Sequence, residues 1–264
     1  MAKYGMAIDL GKCVGCGACA LACKTENNTE LEQDGRKHNW ADFHVSNEGT
    51  FAAGNLKKTV LPVQCNHCSN PFCIRVCPVT PKALYKTEDG LTMHNQDRCI
   101  GCQQCQNACP YSTKDVPGDG AQYSVLTYNP KAVNTQGFYD DDTPIIPGCT
   151  STPAETANLA GITPPDKNDY THTDYSAVRA PNTVEKCTFC HHRLVNGDDP
   201  YCVASCPSGA RVFGDLDDPE SEISQLLAAQ GYDRLASNAG DMLGPNEGGN
   251  EPNVYYVGSF GAAQ

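Results

Sequence analysis

The sequence is short of positive charge, of aromatic side chains and of long apolar runs. Its 19 Lys and Arg stand against 31 Asp and Glu, a formal net charge of −12, which argues against a basic nucleic-acid binder. Aromatic residues make up 8% of the 264 positions, with a single Trp. That is light on large core residues, so something besides apolar burial is expected to hold the chain together. No stretch reaches the roughly 18 consecutive apolar residues of a membrane span, and the mean hydropathy is −0.46, so a soluble protein with no span of its own is expected. Before Cys13 there is neither a twin arginine nor a long apolar segment, so any export is expected to depend on another polypeptide. Gly5, Gly11, Gly15 and Gly17 do not make a dinucleotide fingerprint, because no acidic partner follows on a second strand.

Cysteine, in contrast, is abundant. Of the 17, 16 fall into four groups of four and only Cys149 stands alone. The first group, Cys13, Cys16, Cys19 and Cys23, and the third, Cys99, Cys102, Cys105 and Cys109, share the spacing C-x2-C-x2-C-x3-C. The second is Cys65, Cys68, Cys73 and Cys77, and the fourth Cys187, Cys190, Cys202 and Cys206, each closed by proline. A disulfide framework fits poorly with an odd count and no signal peptide. Zinc suits Cys-x2-Cys pairs, yet its structural sites usually take two cysteines from each of two separated knuckles. Three cysteines in one short loop, followed after three residues by a fourth, suit a cubane iron–sulfur cluster, and C-x2-C-x2-C-x3-C-P is the bacterial ferredoxin run in which the fourth Cys serves the neighbouring cluster.

Ligand exchange follows from distance along the chain. Only residues 78–98 separate the second group from the third, so these two are expected to trade their fourth cysteines, leaving the first and fourth groups for each other. Four [4Fe-4S] clusters are therefore expected: Cys13, Cys16, Cys19 with Cys206; Cys65, Cys68, Cys73 with Cys109; Cys99, Cys102, Cys105 with Cys77; and Cys187, Cys190, Cys202 with Cys23. The N-terminal segment must then fold back on residues near 187–210. Gly15, Gly17 and Gly101 either let backbone N–H groups approach a cluster or simply make tight turns. Lys12, Arg98 and Lys186, each preceding the first Cys of a group, either offset cluster charge or, more plainly, are isolated surface cations. His67, His191 and His192 adjoin ligands, but every cluster already has its thiolates, so supporting or surface roles are expected.

Groups one and two resemble groups three and four, so the chain carries an internal repeat. The expected fold is α+β: two ferredoxin-like two-cluster modules in pseudo-twofold arrangement, with a long irregular insertion and an extended C-terminal tail. One module takes residues 1–57 and 181–230, the other residues 58–115. The insertion is 116–180, within a stretch (110–186) that holds 9 of the 18 prolines and Asp140-Asp141-Asp142. The tail is 231–264, docking on the core or a partner. Short strands are expected at 83–85 and 211–213, and short helices after the loops at Cys19–Lys24 and Cys105–Ala108. A further helix is expected from an N-cap at Asp218 to a stop at Gly231, with Ile223, Leu226 and Leu227 on one face. Val254–Val257 reads as a strand.

Full thiolate ligation leaves no open iron for a substrate, so electron transfer rather than catalysis is the expected chemistry, as a relay that needs a partner at each end. These groups, in this order and spacing, resemble the iron–sulfur subunits of the dimethyl sulfoxide reductase family of molybdopterin oxidoreductases. Within that family, Cys23-Lys24-Thr25-Glu26-Asn27-Asn28-Thr29, Cys187-Thr188-Phe189-Cys190-His191-His192-Arg193-Leu194, Gly214-Asp215-Leu216-Asp217-Asp218-Pro219 and Ser259-Phe260-Gly261 are similar to the small subunits of respiratory arsenate reductases. The resemblance implies a large molybdenum or tungsten bis-pterin catalytic partner and a quinol-oxidising membrane subunit or cytochrome. It also implies co-export to the periplasmic face, with the cytoplasm as the alternative. Some relatives replace the ligand corresponding to Cys102 and hold a three-iron cluster; this sequence keeps it. Partners for thiosulfate, polysulfide, tetrathionate, selenate or an aromatic substrate remain open, as do a free-standing polyferredoxin and a zinc-binding module without redox activity.

Overall fold

A computed structural model describes residues 2–27, 29, 32–33, 36–37, 39–112, 123–129, 143–144, 146–149, 151–161, 180–237, 240–244 and 249–259. The Asp140–Asp142 run, Asn28, Phe260 and Gly261 lie outside them, as does most of the segment read as an insertion.

The chain opens with β1 (Tyr4–Asp9) and α1 (Ala18–Asn27), then the short strands β2 (Glu32–Gln33) and β3 (Arg36–Lys37) and the hairpin of β4 (Ala41–Glu48) with β5 (Lys57–Gln64). Next come α2 (Phe72–Arg75), β6 (Leu84–Lys86), β7 (Thr92–His94), α3 (Gln104–Ala108), β8 (Leu126–Asn129) and α4 (Pro153–Leu159). The last part holds β9 (Thr183–Lys186), α5 (His191–Leu194), α6 (Tyr201–Ala204), β10 (Arg211–Asp215), α7 (Glu222–Gln230), β11 (Arg234–Leu235), β12 (Met242–Leu243) and β13 (Val254–Val257).

β1 is the centre of a three-stranded sheet in the order β10-β1-β13, antiparallel to β10 (Met6 opposite Phe213) and parallel to β13 (Met6 opposite Val254). Side chains alternate across a strand, and here the alternation sorts them into two layers. Met6, Ile8, Phe213, Val254 and Tyr256 join the main core, in which cysteines are packed among Trp40, Val63, Met93 and Tyr123. Ala7, Val212 and Tyr255 face the other way and receive Ile223, Leu226 and Leu227 of α7. That explains why β1 is buried from Gly5 onward. Ile223, wholly buried, contributes about 2 kcal/mol by leaving water.

α7 begins later than the sequence suggests. Its N-cap is Ser221, whose side chain accepts from Ser224 N. Asp218 instead closes a turn of its own, its carboxylate accepting from Glu220 N at 2.9 Å, so Pro219 precedes the helix. Gly231, at φ 69°, ends it as expected. The short strands and helices beside the cysteines fall where the sequence puts them, as β6, β10, α1 and α3. β8 lies inside the segment read as an insertion, yet it pairs antiparallel with β9, Leu126 opposite Lys186. Tyr123, Val125 and Leu126 are buried there, an apolar run that the surrounding prolines conceal.

The tail does more than end the chain. β13 completes the sheet, and the residues just before it clasp the loop at Cys65–Cys73. Asn253 N donates to Asn66 O at 2.8 Å, Ser69 N to Glu251 O at 2.8 Å and Asn70 N to Asn250 O at 3.0 Å. The Asn253 side chain donates to His67 O at 2.9 Å, and Phe72 N donates to the Asn250 side chain at 3.1 Å.

Candidate metal centres

Four times the chain makes the same turn. The residue just before the second cysteine of each group has a positive φ: Gly15 at 65°, His67 at 43°, Gly101 at 67° and Phe189 at 52°. A left-handed residue beside right-handed or extended ones points successive N–H groups into one concavity, the backbone arrangement that suits iron–sulfur sites; in the fourth turn Cys190 is left-handed as well, at 50°. At Gly101 nothing larger fits, because a Cβ would lie 2.3 Å from Asn182 O. His67 and Phe189 hold the same conformation with side chains attached, against a penalty of about 1–3 kcal/mol each.

The four groups assemble into four sets. Cys13, Cys16, Cys19 and Cys206 line one cavity of about 340 Å³ (site one), with Ile8, Phe43 and Arg211 beside them. Cys65, Cys68, Cys73 and Cys109 line a second of about 310 Å³ (site two), closed by Tyr111, Val125 and Asn250. Cys77, Cys99, Cys102 and Cys105 line a third of about 310 Å³ (site three), with Ala83, Leu84 and Val184. Cys23 is buried, and the thiols acting on it are Cys187, Cys190 and Cys202 (site four). Thus α1 carries Cys23 away from its own loop and packs against α6, which carries Cys202. Cys77 and Cys109 likewise cross to each other's loops.

The thiols ring these cavities. Burial, aided by neighbouring sulfurs, pushes the Cys73 and Cys105 thiols up to about 12, and burial does the same to Cys187 although Lys186 opposes it. Such thiols ionise only when a strongly bound cation takes the proton's place. Cys206 goes the other way: burial raises it, but the Ser208 hydroxyl and the N–H groups of Ala210 and Arg211 outweigh that and lower it. Donor set, cavity and turn geometry fit a thiolate-bound polynuclear cluster.

The sets stand in sequence. Cys19 of site one acts on Cys202 of site four, Cys187 of site four on Cys65 of site two, and Cys73 of site two on Cys105 of site three. Sites four and two are interior, with Cys23, Cys187, Cys190, Cys202, Cys65, Cys68 and Cys73 buried; Cys16 of site one and Cys102 of site three are exposed. Val14 and Ile100, at matching loop positions, are exposed beside them.

Several flanking residues differ from expectation. Lys186 is no surface cation: it is 1% exposed, and its Nζ donates to Thr92 O and Cys187 O. Lys12 does lie at the surface, 3.8 Å from Asp9. His67, His191 and His192 are all buried. His192 Nε2 meets Glu26 Oε1 at 2.6 Å, tying α5 to α1, and that contact, with Arg193, holds the Glu26 carboxyl below its usual range despite burial. Cys149 is exposed, in a turn. Sequence reasoning missed Lys86, whose Nζ donates to Cys68 O at 3.0 Å, and Arg211, buried beside site one; neither sits at a motif position that would draw attention.

The 4Fe-4S dicluster domain matches residues 12–81 in one form and residues 56–122 with 171–216 in another. The chain is 42% identical to the arsenate respiratory reductase iron–sulfur subunit of Shewanella sp. strain ANA-3, over 98% of this chain and 97% of that protein. It is 32% identical to a selenate reductase subunit of Mesobacillus selenatarsenatis (97% of this chain, 72% of that one) and 31% identical to a tetrathionate reductase subunit of Salmonella typhimurium (97% and 72%).

Proposed function

The chain belongs to the iron–sulfur subunits of the molybdopterin oxidoreductases, and from that premise we propose that it carries electrons through four [4Fe-4S] clusters between a molybdenum or tungsten bis-pterin catalytic subunit and a quinol-linked membrane subunit or cytochrome. The observation that carries this reading is the row of four cysteine quartets, interior in the middle and exposed at both ends. Each cluster, when bound, supplies reversible one-electron transfer; the chain supplies spacing, dryness and charge. Cys13, Cys16, Cys19 and Cys206 hold the first cluster, Cys65, Cys68, Cys73 and Cys109 the second, Cys99, Cys102, Cys105 and Cys77 the third, and Cys187, Cys190, Cys202 and Cys23 the fourth. The path runs from site one through sites four and two to site three. Buried thiolates exclude water from the middle sites, and the exposed loops at Cys16 and Cys102 present the end sites to partners. The chain moves electrons and leaves substrate turnover to its partner.

The higher identity to the arsenate-linked relative (42% against 31–32%) favours arsenate as the partner's oxidant over tetrathionate or selenate. Among the described residues no helix is long and apolar enough to cross a membrane; attachment through a membrane partner at the periplasmic face, after co-export, is the matching arrangement. Two ferredoxin-like modules in pseudo-twofold relation account for the repeated loops. The test is anaerobic purification from a native membrane extract. We expect a large molybdenum- or tungsten-containing partner and about 16 iron and 16 labile sulfide per chain, four of each in every cubane. A chain that elutes alone, loaded with iron, would instead be a free polyferredoxin, and one loaded with zinc and free of sulfide would refute both readings.

A further inference from the structure

Arg211 begins β10 and is 4% exposed. Its Nη1 donates to Gln64 Oε1, to Met6 Sδ at 3.3 Å and to Cys202 Sγ at 3.8 Å. Its Nη2 is buried without a partner at hydrogen-bond length, and the side chain lines the cavity of site one. The leading charges that act on it are Cys202, Cys19 and Tyr256, none of them a carboxylate. A guanidinium taken out of water in this way is destabilising unless anions compensate it, and an apolar residue would fill the same space. The sulfurs supplying that compensation belong to two different sites: Cys202 to site four and Cys19 to site one.

We propose that Arg211 is a shared tuning residue: a fixed positive charge set between sites one and four that donates towards sulfur on both and raises the potentials of both clusters together. The inference rests on the four-cluster reading. One-electron reduction adds a negative charge to a cluster, so a cation nearby in a poorly screened interior stabilises the reduced form more than the oxidised one. Net charge and hydrogen bonds to sulfur are among the determinants of such potentials. Nη2 is the donor left over for the site-one cluster, and Gln64, itself donating to Met6 Sδ at 2.8 Å, fixes the plane of the fork.

The test is a redox titration followed by paramagnetic resonance on the anaerobically purified complex, the site-one and site-four signals being those altered by Cys16→Ser and Cys190→Ser. In Arg211→Gln those two midpoints are expected to fall by at least about 59 mV, a tenfold shift of each reduction equilibrium, while the other two stay. Arg211→Lys, which keeps the charge and loses the fork, is expected to recover most of the shift. If Arg211→Gln fails to assemble, Gln64→Glu carries the test: a carboxylate against Nη1 neutralises the cation and should lower the same pair. Unchanged midpoints in the assembled variant, or four midpoints moving alike, would overturn the proposal and leave Arg211 a packing residue. A wild-type iron content near 8 would refute the four-cluster reading by itself, independently of any Arg211 variant.

Discussion

The His67 ring stacks on Phe189 with centroids 3.8 Å apart and planes within 13°. Each is the positive-φ residue just before the second cysteine of its loop, so two strained turns, one from site two and one from site four, brace each other. The hydrogen bonds fix the histidine: Thr92 N donates to Nδ1 at 3.2 Å, so Nε2 carries the proton and donates to Cys187 O at 3.0 Å. Burial, with Lys186 and Lys86 nearby, holds its pKa well below the usual value. His67→Ala removes the stack, about 0.5–1.5 kcal/mol beyond area burial, and takes from the buried Thr92 N–H its Nδ1 acceptor, at about 1–3 kcal/mol, while Cys187 O keeps Lys186 Nζ. We expect iron content to fall at sites two and four together, with sites one and three retained. Iron analysis with paramagnetic resonance reads this, and a loss confined to site two would contradict the bracing role.

Cys109→Ser tests the exchange of ligands between modules. Because Cys109 stands with Cys65, Cys68 and Cys73, the variant should alter the site-two spectrum and spare the cluster on Cys99, Cys102 and Cys105. The opposite pattern would mean that each group binds its own cluster.

Asn253→Ala should weaken a site that lies far away in sequence. Its side chain accepts from Ser69 Oγ at 3.2 Å and donates to the buried carbonyl of His67; without it that carbonyl keeps only the longer 3.4 Å contact from Lys86 Nζ, a loss of about 0.5–1.5 kcal/mol. The expected outcome is a lowered Tm and preferential loss of the site-two signal on mild chelation. Equal loss at all four sites would show that the tail is only general packing.

His94 supplies an acid limit to stability. Burial first, and Lys186 second, lower its pKa from 6.5 to about 3. The unfolded chain therefore binds a proton that the folded chain refuses. This contribution is fully present above about pH 6.5 and is lost as pH falls towards 3, at about 1.4 kcal/mol per pH unit. Denaturant unfolding at several pH values between 7.5 and 5 measures the slope, and His94→Gln should flatten it by that amount.

Much of the site was legible in the sequence, because cluster-binding loops are local: cysteines at i, i+3 and i+6 need only one turn to face inward. The crossing of Cys23 and Cys206 between distant groups also followed from chain separation alone. What escaped were properties that depend on neighbours from elsewhere in the chain. Lys186 reads as a surface cation until β8 and the carbonyls of Thr92 and Cys187 enclose it. β8 itself is hidden by the prolines and acidic residues around it. The start of α7 was misplaced because Asp218 and Ser221 are both good caps, and the competing turn at Glu220 N decides between them. The clasp of Asn250 and Asn253 on the Cys65–Cys73 loop leaves no periodic trace at all.

That clasp sets an order of events during biogenesis. The loop around Cys65 emerges from the ribosome early, but the strand and asparagines that seal it are made some 180 residues later. Until then the loop lacks the hydrogen bonds that Asn250, Glu251 and Asn253 supply in the folded chain. The Cys65–Cys73 loop therefore reaches its tail-closed form only when translation is nearly complete.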